Sequence, residues 1–229
     1  MKIGGFLEQS LIDYPGKITA IIFTRGCNFR CPFCHNPDLI SSSGEDVISE
    51  HDFFDFLKKR KGLLDAVTIT GGEPTLQHDL PDFIKKVKQK GFAVKLDTNG
   101  TNPQILGDII SEGLASYIAM DIKNSLEKYH LAGKVDTGAI QKSIGIIMQS
   151  GVPYEFRTTV LPRLHSEKDM EEIGKLINGA DKYFIQNFRP ENTLDANFKK
   201  ERGFTPEELN SLQAVMKKYV KACLIRENI

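Results

Sequence analysis

Six short apolar runs recur along the chain, at Ile18–Thr24, Ala66–Thr70, Phe92–Asp97, Tyr117–Asp121, Tyr154–Val160 and Tyr183–Phe188. Runs this continuous predict parallel strands covered on both faces. The stretches between them carry the amphipathic spacing and punctuation of helices. His51–Lys61 sets Phe53, Phe54, Phe56 and Leu57 on one side, with Ser49 placed to cap it. Asp79 opens a helix that runs through Lys90 and ends at Gly91. Asn102-Pro103 is a cap followed by proline in the first turn, and Gly113 closes that helix. A further helix covers about Thr137–Ser150. Ser166 with Asp169, and Thr205-Pro206 with Glu208, have the form of capping boxes opening the last two. Strand then helix, six times over, predicts an α/β fold with right-handed crossovers. Six units fall short of the eight of a closed barrel. The expected architecture is a partial (β/α)6 barrel, an open parallel sheet with helices outside. Residues 1–16 form a short N-terminal preface, 17–190 the barrel core and 191–229 a C-terminal helical segment, all in a single domain.

Composition narrows the function classes. The 229 residues hold 30 Lys+Arg against 30 Asp+Glu, so no global field draws nucleic acid or an anionic membrane. The apolar runs fall far short of the roughly 20 residues of a membrane span, and no signal peptide is visible, which predicts a cytoplasmic protein. Three of the four cysteines, Cys27, Cys31 and Cys34, lie within eight residues, and Cys223 stands far away. In an intracellular chain such a cluster reads as a metal site.

In parallel α/β proteins the functional side chains gather at the carboxyl ends of the strands. Here the run Arg25 to Asn36 follows the first strand, Gly71-Gly72-Glu73-Pro74 the second and Asp97-Thr98-Asn99-Gly100 the third. Asp121-Ile122-Lys123 ends the fourth, Arg157 lies in the fifth, and Gln186-Asn187-Phe188-Arg189 ends the sixth. Six polar endings on one rim point to one large site. Three thiolates at C-x3-C-x2-C supply three ligands to the four irons of a cubane, where electron carriers supply four, and the open iron marks a catalytic metal site. The rival reading is a zinc site completed by His35 or Cys223. Gly-Gly-Glu-Pro has a plain turn as its rival, and Arg157 and Lys123 have solvated surface charges, although both lie in apolar surroundings. Asp97 and Asp121 end neighbouring strands and would repel unless a cation or a positive side chain lies between them. A bound cation and a salt bridge with Lys123 are the two options. Cys223, beside Val220 and Leu224 in a helical pattern, reads as a small buried apolar residue.

On these residues, with Phe33 in the aromatic place before Cys34, the sequence resembles the radical S-adenosylmethionine (SAM) enzymes. Within them it is similar to activating enzymes of glycyl-radical proteins, most of all those of anaerobic ribonucleoside-triphosphate reductase, with the pyruvate formate-lyase activating enzymes a step further away. Leu11 to Lys17, Cys27 to Asn36, Thr70 to Pro74, Asp97 to Gly100 and Asp121 to Lys123 carry the resemblance over about the first 125 residues. It thins afterwards to Arg157 and Phe188-Arg189-Pro190.

The resemblance implies a radical SAM barrel. Cys27, Cys31 and Cys34 hold one 4Fe–4S cluster, and SAM chelates its open iron. Phe33, His35, Asn36, Gly71, Gly72, Glu73, Asp97, Thr98, Asp121, Lys123, Arg157 and Arg189 are the SAM-binding candidates. Gly71 and Gly72 let backbone approach the SAM amino group, Glu73 offers it a fixed acceptor, and a monovalent cation lies near Asp97 and Asp121. Arg189 stands where the pyruvate formate-lyase relative has a histidine. The cluster and SAM carry the chemistry, so no side chain is catalytic in itself. The implied partners are flavodoxin or ferredoxin as electron donor and a glycyl-radical enzyme as protein substrate, which loses a glycine Cα hydrogen. The rivals are a radical SAM catalyst of a small molecule and a non-catalytic zinc or iron–sulfur module. No cysteine lies between Cys34 and Gly71, so a single cluster is expected.

Overall fold

Each apolar run becomes a strand, and each capped stretch a helix. The computed structural model describes residues 1–45 and 47–226. Strand β1 (Ile3–Ser10) turns back antiparallel onto β2 (Thr19–Thr24), pairing Phe6 with Ile22. From there the chain alternates α1 (Glu50–Lys59), β3 (Ala66–Gly71), α2 (Leu80–Gln89), β4 (Ala93–Thr98) and α3 (Pro103–Ser111). It continues through β5 (Tyr117–Asp121), α4 (Thr137–Gln149), β6 (Tyr154–Val160), α5 (Glu167–Leu176), β7 (Lys182–Asn187), α6 (Pro206–Met216) and β8 (Ala222–Arg226). The strands lie in sequence order from β1 to β8, and every pair after the first is parallel.

The six expected strand–helix units are therefore present as β2α1 to β7α6, and two edge strands extend them. Strand β8 corrects the expectation of a wholly helical C-terminal segment. Its five residues are too few to show a period, and pairing along β7 (Tyr183 with Cys223, Ile185 with Ile225) makes them a strand. The caps behave as their spacing predicts. Ser49 accepts from Asp52 N, Asn102 from Ile105 N, and Ser166–Asp169 and Thr205–Glu208 form reciprocal capping boxes. Asp79 departs from expectation, since its side chain makes no cap and binds the Met1 ammonium instead.

The apolar core lies between sheet and helices. Ile22, Val67, Val94, Ile118, Phe156 and Ile185 of the strands meet Phe53, Phe83, Leu106, Ile144, Ile173 and Leu212 of the helices. The concave inner face is different, because strand side chains alternate. Thr19 and Thr68 bond to each other there (3.0 Å), and Lys95, Asp97, Glu155 and Arg157 project from β4 and β6. The Glu155 carboxylate, fully buried, receives both Arg226 nitrogens (2.9 and 3.0 Å) and the Tyr117 hydroxyl (2.9 Å). Tyr14 from the β1–β2 connection packs against Tyr117 at the lower end (5.7 Å between ring centroids). Among the described residues no helix is long and apolar enough to cross a membrane.

Candidate active site

The cysteine loop leaves β2 at Gly26, whose φ of +92° suits glycine. Gly26 N and Cys27 N donate to Leu39 O (2.8 Å) and Ile40 O (3.0 Å), so the segment returning from the loop pins its start. The middle is held by Arg30 N donating to Ala132 O (2.7 Å) and by Cys34 N donating to Cys31 O (3.0 Å). A strap following β7 closes over the far side. Asp195 N donates to Pro32 O (3.0 Å), Asn192 Nδ2 donates to His35 O (2.9 Å), and the His35 ring stacks on Phe188 with its Nε2 3.1 Å from Arg189 O. Burial pushes the Cys31 thiol up to about 11 and raises Cys27 as well.

All three thiols line one cavity of about 230 Å³. Among the described residues no three His, Cys, Asp or Glu side chains converge on a point where one ion would sit. A zinc site needs four such ligands on a single centre, whereas a cubane takes one thiolate on each of three irons and needs them spread around a space. Cys223 is buried in the core on β8, away from this cavity, and does not complete the set. Three cysteines around one chamber, with no fourth cysteine beside them among the described residues, fit a cluster held by three thiolates.

The second strand's glycines serve a contact that the sequence does not announce. A Cβ on Gly72 would stand 2.1 Å from Gly26 O, and one on Gly71 2.3 Å from Thr24 N. Gly71 is thus bare because the backbone of β2 lies against it and Gly72 because the start of the cysteine loop does, and Glu73 N donates to Gly26 O (2.8 Å) across that second contact. Gly72→Ala is expected to drive the two loops apart, costing about 1–3 kcal/mol as overpacking does. The urea midpoint should fall, and bound iron per chain after anaerobic reconstitution should fall with it.

Glu73 is fully buried, and its carboxylate accepts from Thr75 N (3.1 Å), Thr75 Oγ1, Thr98 Oγ1 (2.7 Å) and Asn99 N (2.6 Å). Burial raises this carboxyl, against the pull of those donors. Three of these donors fall on Oε1 and one, Asn99 N, on Oε2, so Glu73 binds the ends of β3 and β4 into one rim while Oε2 keeps acceptor capacity.

Asp97 and Asp121 do have a positive side chain between them, and it is Arg157. Its Nε binds Asp121 and its guanidinium reaches Asp97 at 3.0 Å. Lys123 holds the outer oxygen of Asp121 (2.8 Å), and Lys95, nearly fully buried, holds Asp97. Burial would raise both carboxyls, yet Arg157 with its lysine neighbours holds each below the usual carboxylate range. The salt-bridge expectation is met, with Arg157 as the bridge and Lys123 beside it. Of these groups Asp97, Asp121, Lys123 and Arg157 line the cavity together with the thiols and Glu73.

Cys27, Cys31, Cys34, Phe33, His35, Asn36, Gly71, Gly72, Glu73, Asp97, Thr98, Asp121, Lys123 and Arg157 all line the cavity. Arg189 does not line it, and meets the site through its backbone carbonyl on His35. Sequence reasoning missed Ile40, Thr159, Lys95 and His165. Thr159 was within reach, because it lies two residues from Arg157 and shares its strand face. His165 had no local signal. Its Nδ1 accepts from Leu161 N (3.3 Å), which makes Nε2 the donor to Lys123 O (3.0 Å), and burial lowers its pKa. The neutral ring thereby holds the backbone of Lys123.

Three comparisons agree with this geometry. The pattern of the radical SAM superfamily matches residues 21–177. A putative glycyl-radical enzyme activating enzyme of Methanocaldococcus jannaschii is 37% identical, over 98% of this chain and 95% of its own length. A pyruvate formate-lyase-activating enzyme of Clostridium pasteurianum is 28% identical over 82% of this chain and 77% of its own. Among solved structures, a domain of a pyruvate-formate lyase-activating enzyme from Bacteroides vulgatus superposes with a TM-score of 0.59 at 17% identity, covering 71% of this chain and 99% of that one. This last likeness concerns the fold alone.

Proposed function

The chain belongs to the radical SAM superfamily of enzymes, and from that premise we propose that it activates a glycyl-radical enzyme, with anaerobic ribonucleoside-triphosphate reductase as the partner. The observation that carries the reading is a single cavity in which three thiols share one space with the Lys123 and Arg157 cations. End-to-end similarity to the Methanocaldococcus jannaschii protein supports the substrate class. When bound, the cluster and SAM would supply one-electron reductive cleavage of SAM to methionine and hydrogen-atom abstraction that yields 5′-deoxyadenosine and a glycyl radical.

The chain's own residues bind and orient. Cys27, Cys31 and Cys34 anchor three irons. Lys123 and Arg157 would offer charged N–H donors to the SAM carboxylate. Phe33, His35 and Asn36 face the nucleoside, and Arg189 acts through the carbonyl that fixes His35. Gly71, Gly72, Glu73 and Thr98 keep the rim closed around the amino-acid end. A monovalent cation at Asp97 and Asp121 would have to displace the Arg157 guanidinium, which already neutralises both. Flavodoxin or ferredoxin supplies the electron, and the whole chain acts as one cytoplasmic unit.

The sheet ends at β1 and β8, which do not pair, so the barrel stays open along one side. A protein loop enters there, as activation of a polypeptide requires. The test is anaerobic incubation of reconstituted protein, SAM and reductant with the glycyl-radical enzyme. A glycyl doublet in electron paramagnetic resonance on the partner is expected. SAM consumed with a small-molecule substrate, and no such doublet, would overturn the reading.

A further inference from the structure

A glycine has no side chain to grip, so the enzyme must hold the peptide units beside it. Each such unit brings one N–H and one C=O into a half-buried space, and leaving either unpaired costs about 1–3 kcal/mol. A carboxamide answers both at once, offering donor hydrogens and an acceptor oxygen, whereas ammonium and guanidinium groups only donate.

Three carboxamides line the cavity. Asn99 donates to Asn28 Oδ1 (2.9 Å) and its own oxygen accepts from Thr101 N (3.0 Å), so it is committed to the rim. Asn36 lies exposed at the mouth. Gln186 is half-buried, and among the described residues no group pairs with its Nε2. Its Oε1 lies 3.5 Å from Thr159 Oγ1, its register partner on β6, a distance at the limit of a hydrogen bond. Thr159 in turn is two residues from Arg157 on one strand face, so Gln186 stands one strand and one pleat from the residue that neutralises the carboxylate pair.

The location also suits an incoming chain. Gln186 is on β7, beside the edge strand β8 that bounds the open side. Along that opening Leu224 of β8 and Leu7 of β1 are each 46% exposed. Leu224 pairs with Phe184, and Leu7 pairs with Ile21, which puts both on the concave face. The entry therefore has apolar flanks, with an uncommitted amide deeper in. Resting on the activation reading above, we propose that Gln186, steadied by Thr159, is a positioning residue that binds the peptide unit next to the target glycine and sets its Cα against the abstracting centre.

The test compares wild type with Gln186→Leu, Gln186→Asn and Thr159→Val, all as reconstituted holoenzyme with intact partner enzyme. For Gln186→Leu the KM for the partner should rise about tenfold, equivalent to about 1.4 kcal/mol. The yield of glycyl radical per 5′-deoxyadenosine released should drop several-fold, as SAM is spent without a hydrogen being taken from glycine. Thr159→Val should move the same two quantities less, and Gln186→Asn should recover part of the coupling. Wild-type KM and coupling in Gln186→Leu would overturn the proposal. Loss of SAM affinity with coupling intact would overturn it too, by placing the amide on the nucleoside. If wild type itself never places a radical on a glycyl-radical enzyme, the activation reading falls and this one with it.

Discussion

Alanine at Cys27, Cys31 or Cys34 is expected to reduce cluster content after anaerobic reconstitution from about four irons per chain to near zero. SAM cleavage should be abolished with it. On the cluster assignment each thiol would anchor one iron, and among the described residues no other cysteine lines the cavity. Cys223 is buried in the core on β8, and His35 already spends its Nε2 on Arg189 O. Cys223→Ala serves as the control. Removing a small buried side chain lowers stability by about 1 kcal/mol and leaves iron content and SAM cleavage at wild-type levels. Iron and sulfide analysis with electron paramagnetic resonance of the reduced protein reads all four variants. Full iron in any of the first three would remove the site assignment.

Arg157→Ala should be the most destabilising single change in the site. It strands Asp97 and Asp121, two carboxylates on adjacent strands whose shared counter-charge is the guanidinium. Breaking a buried ion pair by deleting one partner costs about 3–5 kcal/mol, since the remaining charge loses its compensation. SAM affinity should fall at least tenfold in whatever fraction stays folded. Arg157→Lys should rescue little, because one ammonium cannot span two carboxylates in a planar fork.

The same network sets an acid dependence. Both carboxyls lie below their usual range in the fold, despite burial that would raise them. In the unfolded chain they titrate near the ordinary value, about 3.9. The unfolded state thus takes up protons first as pH drops, so the stabilisation is complete above roughly pH 4–5 and is lost progressively below it. In Arg157→Ala the native carboxyls titrate higher, with only Lys95 and Lys123 to hold them down. The acid-unfolding midpoint, followed by circular dichroism, should move to higher pH. An unchanged midpoint would show that Arg157 does not hold the pair.

How far the sequence reached depends on the range of the interaction involved. Caps at Ser49, Asn102, Ser166 and Thr205 were legible because each involves residues two or three apart, and the local hydrogen bond is nearly the whole signal. Asp79 failed as a cap because a distant group, the Met1 ammonium, competes for its carboxylate. Cys223 was rightly expected to be buried but wrongly expected to be helical, since burial follows from residue chemistry while a five-residue strand takes its form from its neighbour.

The site divides along the same line. C-x3-C-x2-C, the six strand endings and the six strand–helix units are contiguous patterns, so the amino-acid order by itself determined the barrel class, the three-thiol loop and the rim. Tertiary structure alone decided that Arg157 stands between Asp97 and Asp121, that Gly72 is bare for the Gly26 carbonyl, and that Glu73 braces the rim. It alone set Gln186 beside Thr159 with its amide uncommitted. These facts depend on strand register and on loops meeting across the rim, between residues tens of positions apart. A linear pattern records which groups exist; only the packed sheet sets which of them touch, and therefore which charges and hydrogen bonds remain to be offered to a ligand.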